Sequence, residues 1–124
     1  MTATPVAVIE PELDRLEGLW SDGLADSYHA YLDTIDQPKL ALAAALIEVG
    51  LRLQGLGSRA APPTTLLMGD LCLSRGSRLL ADHATLPVQV AFARAIELLA
   101  AKAASEEAAP QARQLLTAAL GATR

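Results

Sequence analysis

A continuous apolar run in the first half of the chain limits the folds open to it. Residues 40–47 read Leu-Ala-Leu-Ala-Ala-Ala-Leu-Ile, and they follow Pro38, a residue that favours the first turn of a helix. Alanine and leucine are strong helix formers, and a helix that is apolar on every face has to be surrounded by other elements. The run therefore predicts a helix over about 38–55 at the centre of a bundle.

Helical periodicity also precedes this run. Apolar side chains recur every three or four residues from Leu13 through Trp20 and Tyr31 to Ile35, which predicts an amphipathic helix over about 11–34. Tyr31 fits this stripe and is expected to be packed, whereas His29 is expected at the surface. Asp36 is a candidate N-cap for the helix that begins at Pro38.

The rest of the chain is predicted to be helical as well, because strand-forming β-branched and aromatic residues are sparse. Further helices are expected over about 64–83, 86–105 and 110–120, with Thr85 as the N-cap of the fourth and Gly121 after the last. A chain of 124 residues has room for one domain. We expect a single all-α domain over 1–124, a small bundle of four to five helices.

Charge and cysteine content exclude several classes of protein. The net charge of -4 leaves no basic stripe for a nucleic acid. Cys72 is the only cysteine, so an intrachain disulfide is impossible and a reducing, cytoplasmic location is expected. No apolar run approaches the roughly 20 residues needed to cross a bilayer, and no basic stretch marks a leader at the N-terminus.

The sequence offers no pattern for a metal or catalytic site. His29 and His83 lie in different predicted helices, so the two histidines do not form a ligand pair on one helix face. Cys72 and Ser74 lack a nucleophile elbow such as Gly-x-Ser-x-Gly. Acidic residues never form a DDxxD cluster, and none occurs over 49–69, so a Mg²⁺-diphosphate site is not expected there. We assign no catalytic residue and no metal ligand.

Residues 66–80 resemble a segment of the trans-isoprenyl diphosphate synthase family. That segment has an apolar run, then Gly-Asp, then a helix with small residues and a Leu-Leu ending; here these are Leu66-Leu67-Met68, Gly69-Asp70 and Leu79-Leu80. Residues 42–54 resemble the family helix that leads into the first Asp-rich motif, and Pro63-Thr64 resembles the Pro-Thr after that motif. The resemblance covers about 40–105.

Both Asp-rich motifs of that family are missing, and Arg52, Leu53, Gln54 and Gly55 occupy the place where the first would begin. The pattern resembles the small, non-catalytic component of the two-component long-chain polyprenyl diphosphate synthases. The resemblance implies a fold like the N-terminal part of the isoprenoid synthase fold. It also implies a heterodimer with a larger catalytic subunit that holds Mg²⁺ and makes a polyprenyl diphosphate for a quinone such as menaquinone. This chain would need no cofactor, and would support activity and set product length.

The family resemblance and the small-residue faces of two predicted helices together suggest where the partner binds. We predict an interface formed by Gly69, Asp70, Leu73, Gly76, Ser77, Leu80, Ala91 and Ala95. Asp70 lies in an apolar stretch, so it is expected either to be hydrogen-bonded, for instance to an arginine or a backbone cap, or to be exposed. Arg75 and Arg78 are expected on the solvated face.

A second interpretation needs only the alanine and leucine periodicity. The chain would then be a stand-alone helical-bundle adaptor or a homodimerisation module without an enzymatic role. An exposed apolar face would also allow the isolated chain to self-associate. An independent enzyme is not expected, because no set of acid, base and nucleophile can be assembled from these residues.

Overall fold

The structure, a computed structural model, describes residues 23–54, 63–104 and 112–122, and within these ranges it consists of helices without strands. The five helices are α1 (Ala25–Ile35), α2 (Pro38–Leu53), α3 (Pro63–His83), α4 (Leu86–Ala104) and α5 (Ala112–Leu120). They form a small bundle, so the expected all-α fold is confirmed. None of the helices in these ranges is both long and apolar enough to cross a bilayer.

Helix α2 lies at the centre of the bundle. Every residue from Leu40 to Leu51 is buried, and α2 packs against α1, α3 and α5. This is the burial that a helix without a polar face requires. The central position expected from the apolar run is therefore confirmed.

Glycines bring the backbones of α2 and α3 into contact. A Cβ atom added at Gly50 would lie 3.1 Å from the carbonyl oxygen of Gly69, and one added at Gly69 would lie 3.1 Å from that of Gly50. Further along, a Cβ atom at Gly76 would lie 3.0 Å from the carbonyl oxygen of Ala43. Gly69 of α3 lies beside Gly50 of α2, whereas Gly76, later in α3, lies beside Ala43, earlier in α2. The two helices are therefore antiparallel.

The turn between α1 and α2 differs from the expected one. Asp36 ends α1 in the left-handed conformation, with φ 52°, and its N–H donates to the carbonyl oxygen of Leu32 at 2.9 Å. The N-cap of α2 is Gln37, so the assignment of Asp36 to that position is wrong. Aspartate enters the left-handed region more readily than most residues, which suits Asp36 to ending a helix.

The start of α4 follows the expected capping. The N–H of Val88 donates to Oγ1 of Thr85 at 3.4 Å, and α4 begins at the next residue, Leu86. A threonine hydroxyl that accepts from the third helical N–H is the usual N-cap arrangement. Thr85 is therefore confirmed as the N-cap.

The outer ends of the expected helices lie partly outside the described residues. Of the helix expected over about 11–34, the structure describes the portion after residue 22, in which α1 begins at Ala25. Gly23 has φ 124°, a value that a regular α-helix does not contain, so the chain is not regularly helical at that position. Residues 55, 105, 110 and 111 of the other expected helices also lie outside the described ranges.

Candidate functional site

A buried carboxylate joins three helices on one side of α2. Glu48 of α2 is only 9% exposed although it is charged. Ser27 and Tyr31 of α1 and Arg113 of α5 surround its carboxylate. We call these four residues the Glu48 cluster.

Each oxygen of the Glu48 carboxylate accepts two hydrogen bonds. Tyr31 donates through its hydroxyl to Oε1 at 2.7 Å, and Ser27 donates through Oγ to Oε2 at 2.7 Å. Arg113 binds both oxygens, with Nε 3.1 Å from Oε1 and Nη2 3.0 Å from Oε2. Two-point binding of a carboxylate by a guanidinium fixes orientation as well as distance. The cluster therefore sets the position of α5 relative to α1 and α2.

Arg113 makes two further contacts at the edge of the cluster. Its Nη2 lies 3.1 Å from Oγ of Ser27 and 3.6 Å from Oδ2 of Asp26. The side chain of Asp26 is 84% exposed, so water screens this second ion pair strongly. The attraction between Arg113 and Glu48 is the stronger of the two, because Glu48 is shielded from solvent.

The surroundings of Glu48 determine its charge. Burial by itself raises the pKa of Glu48, but hydrogen bonds from Arg113, Ser27 and Tyr31 outweigh burial and leave that pKa below its ordinary value. Burial, together with the hydrogen bond to Glu48 and its negative charge, raises the pKa of Tyr31, so the phenol stays protonated and donates. The hydrogen bond to Glu48 raises the pKa of Arg113.

The chemistry of the Glu48 cluster is better suited to holding helices together than to transferring protons. A general base needs a lone pair that is accessible to its substrate, at a pKa near the working pH. Each oxygen of Glu48 already accepts two hydrogen bonds, and the pKa of Glu48 is lower than its ordinary value. We therefore interpret the Glu48 cluster as a structural element.

Sequence reasoning did not find this cluster. The available signal was a glutamate in a helix that is otherwise apolar on every face, because a buried carboxylate requires donors. Tyr31 was expected to be packed, and it is fully buried, but its hydroxyl also has a polar role. Arg113 lies 65 residues from Glu48, and no local pattern connects two such distant positions.

Four of the predicted interface residues lie on the side of α3 that approaches the core. Gly69 and Gly76 are buried against α2, and the side chain of Leu73 lies next to Gly50. Leu80 is 5% exposed. A substitution at these positions would disturb packing within the chain, whatever role they have toward a partner.

The other two predicted interface residues of α3, Asp70 and Ser77, are exposed. Asp70 accepts a hydrogen bond at 2.6 Å from Nε2 of Gln54, the residue that follows α2. Its partner is therefore a side-chain amide. The same Nε2 atom lies 3.3 Å from the carbonyl oxygen of Leu66. Asp70 is thus both exposed and hydrogen-bonded.

Asp70 also borders an open groove along the outer face of α3. We call the residues that line it the α3 groove: Thr64, Leu67, Met68, Asp70, Leu71 and Ser74. Its most exposed large side chain is Leu67, at 70%. The lining is mainly apolar, with Asp70 as its charged residue.

Ala91 and Ala95, the two remaining predicted interface residues, line a second groove, between α4 and α5. The side chains around it are Val90, Ala91, Arg94, Ala95, Leu98, Leu115, Ala118 and Ala119. Ala91 is half-buried and Ala95 is buried. The assignment of all eight residues to a partner interface stays a prediction.

The structure also locates the residues considered for chemistry. Cys72 is buried in α3, and burial raises the pKa of its thiol to about 11, so it stays protonated. Ser74 is exposed in the α3 groove, and both His29 and His83 are exposed. Within the described ranges, no three His, Cys, Asp or Glu side chains are grouped as a metal site requires.

Comparison with known proteins provides no relative from which a function could be transferred. The sequence matches no protein-family model, and no curated protein or solved structure is significantly similar to it. Function is therefore inferred from the residues, their contacts and the resemblance at residues 40–105.

Proposed function

We propose that this chain is a non-catalytic subunit of a heteromeric long-chain polyprenyl diphosphate synthase, and that it binds the catalytic subunit through the α3 groove. The observation that carries the proposal is the position of the resembling segment. Residues 66–80 all lie in α3, whose inner face packs on α2 while its outer face exposes the apolar groove. The most synthase-like part of the sequence is thus also a surface with room for a partner.

The spacing in the α3 groove supports binding of a helix. Thr64, Leu67, Leu71 and Ser74 follow one another at three- and four-residue steps and therefore share one face. Leu67 is 70% exposed, and full burial of a leucine side chain is worth about 1.5–3 kcal/mol. A partner helix laid along this face would gain most of that energy without disturbing the contact between α3 and α2.

In such a complex, the catalytic subunit would hold Mg²⁺ and the diphosphates. This chain would contribute an apolar wall beside the growing polyprenyl product. Each buried CH₂ group of that product is worth about 0.8 kcal/mol, so a wall longer by one isoprene unit favours the longer chain by several kcal/mol. This is the physical basis on which a subunit without catalytic residues would set product length.

A homodimerisation module or adaptor is the second candidate function. The observation that favours it is a set of exposed aliphatic side chains on α4, at Leu86, Val90 and Leu98. The two candidates differ in what the chain needs as a partner. A synthase subunit requires a full-length synthase with two DDxxD motifs, encoded in the same genome, whereas a dimerisation module does not.

The binding experiment titrates the purified full chain into that full-length synthase and measures the dissociation constant by calorimetry. We expect binding, and we expect Leu67→Glu to weaken it at least about tenfold, because a charge would replace a buried leucine. The matched control is Ala81→Glu, which places the same charge at an exposed position of α3 outside the groove.

The control variant should bind as the native chain does, and circular dichroism should show that both variants are folded. The proposal is wrong if the native chain does not bind the synthase. It is also wrong about the surface if both glutamate variants weaken binding equally.

A further inference from the structure

Helix α4 carries a row of exposed aliphatic side chains that the proposed binding to a synthase does not use, and that favour the second candidate function. Leu86 is 70% exposed, Val90 40% and Leu98 42%. Together with the exposed Arg94 they occupy every fourth position from 86 to 98, and residues at this spacing form a ridge along a helix. We call Leu86, Val90, Arg94 and Leu98 the α4 ridge.

The α4 ridge borders the groove between α4 and α5. The lining of this groove includes four alanines, namely Ala91, Ala95, Ala118 and Ala119. Alanines leave space in which larger side chains of another helix can fit. One face of the molecule therefore presents both a ridge and a groove, which are the two surfaces that interlock when helices pack through their i±4 rows.

The charges on this face narrow the choice of occupant. Arg94 interrupts the aliphatic ridge at its middle, so a helix that covers the ridge has to bring an acidic side chain to that point. Glu97 is exposed one turn further along α4. If two α4 helices pack antiparallel around a two-fold axis between positions 94 and 97, each Arg94 faces the Glu97 of the other copy.

We infer that α4 is a homodimer interface, in which the α4 ridge of each copy packs into the groove between α4 and α5 of the other. A two-fold interface requires a patch that complements itself, and in the antiparallel register this face brings a ridge to a groove and Arg94 to Glu97. The pairing uses none of the residues of the α3 groove, so it does not depend on the proposed synthase partner.

Sedimentation of the full chain over a range of concentrations tests the dimer. We expect the mass to rise from the 13.0 kDa of one chain toward twice that value. Leu98→Asp should leave a folded monomer, because it places a charge in the ridge without a partner. Leu67→Asp, an equally drastic change at an exposed leucine of α3, should leave the dimer intact.

A charge exchange tests the register. Arg94→Glu and Glu97→Arg should each raise the dissociation constant of the dimer by roughly tenfold or more, because like charges then face each other. The double variant restores opposite charges and should bind nearly as the native chain does. The two single variants, when mixed, should form a heterodimer.

Three results would overturn the inference. The native chain could stay monomeric at all concentrations, or its dimer could be unaffected by Leu98→Asp. A dimer that Leu98→Asp disrupts but that the double charge exchange does not restore would refute the antiparallel register. Circular dichroism of every variant separates loss of the dimer from loss of the fold.

Discussion

Glu48 shows how one side chain connects sequence, fold and stability. It is buried in a helix that is apolar on every other face, and four hydrogen bonds from Ser27, Tyr31 and Arg113 compensate its lost hydration. A buried ion pair adds little stability over an apolar core of the same volume, but removing one partner is costly. Removing the charge of Glu48 therefore tests its role directly.

We predict that Glu48→Gln lowers the free energy of unfolding by about 2–3 kcal/mol. An amide has one acceptor oxygen in place of two, so Arg113 loses its two-point partner. We expect this moderate loss in the free energy of unfolding, and not a larger one, because the side chain of Arg113 is 42% exposed and water can replace part of the lost contact. Urea denaturation followed by circular dichroism measures the change.

The control for this variant is Asp26→Asn, which removes the exposed carboxylate that lies 3.6 Å from Nη2 of Arg113. It should change the free energy of unfolding by less than about 0.5 kcal/mol. Equal losses of unfolding free energy for the two variants would show that the buried hydrogen bonds of Glu48 contribute no more stability than the exposed ion pair of Asp26.

The stability contributed by Glu48 should also depend on pH. The pKa of Glu48 is lower in the folded chain than its ordinary value of 4.5, so the unfolded chain binds the proton more readily. The contribution is therefore complete above pH 4.5 and is lost as the pH falls through the lower, folded pKa.

Thermal denaturation from about pH 7 to about pH 3 measures this dependence. The stability gap between the native chain and Glu48→Gln should narrow as the medium becomes acidic. A gap of constant size across this range would contradict the lowered pKa.

At the scale of elements, local patterns predicted the helices well. The apolar run placed α2 at the centre, and Thr85 was recognised as a cap, because periodicity and capping depend on residues that are close in sequence. Contacts between distant positions were not accessible in the same way. The glycines of α3 were assigned to a partner interface, and the sequence could not specify that Gly69 and Gly76 pack against α2 of the same chain. It also did not connect Glu48 with Arg113.

The contact between α2 and α3 leads to a prediction for Gly76→Ala. Alanine favours a helix over glycine by about 1 kcal/mol, but its Cβ atom would lie 2.9 Å from Cγ1 of Ile47 and 3.0 Å from the carbonyl oxygen of Ala43. Overpacking of this kind costs about 1–3 kcal/mol. We expect a net loss of stability, measured by urea denaturation.

Gly121→Ala is the matched control for Gly76→Ala. A Cβ atom at Gly121 would lie no closer than 3.6 Å to the nearest atom, an ordinary contact. Its effect should stay within about 0.5 kcal/mol. A Gly76→Ala variant that is as stable as the native chain would show that overpacking against α2 costs no more than the roughly 1 kcal/mol gained in helix propensity, and would contradict the expected net loss.

At the scale of the whole molecule, the residues that stabilise the described helices lie apart from the exposed residues that are available to bind a partner. The centre is occupied by α2 and the Glu48 cluster, whereas the exposed aliphatic side chains lie in the α3 groove and along the α4 ridge. Changes at Glu48 should therefore act on folding, and changes at Leu67 or Leu98 on association. A chain with a closed centre and two apolar outer faces suits a subunit of a larger assembly.

The most direct test of the proposed function is the incorporation of isopentenyl diphosphate by the candidate catalytic subunit. The assay supplies Mg²⁺ and an allylic primer, and it compares the catalytic subunit alone with the same subunit plus this chain. We predict that the native chain increases incorporation and that Leu67→Glu increases it much less. If the native chain forms no complex and gives no increase, the proposed function is contradicted.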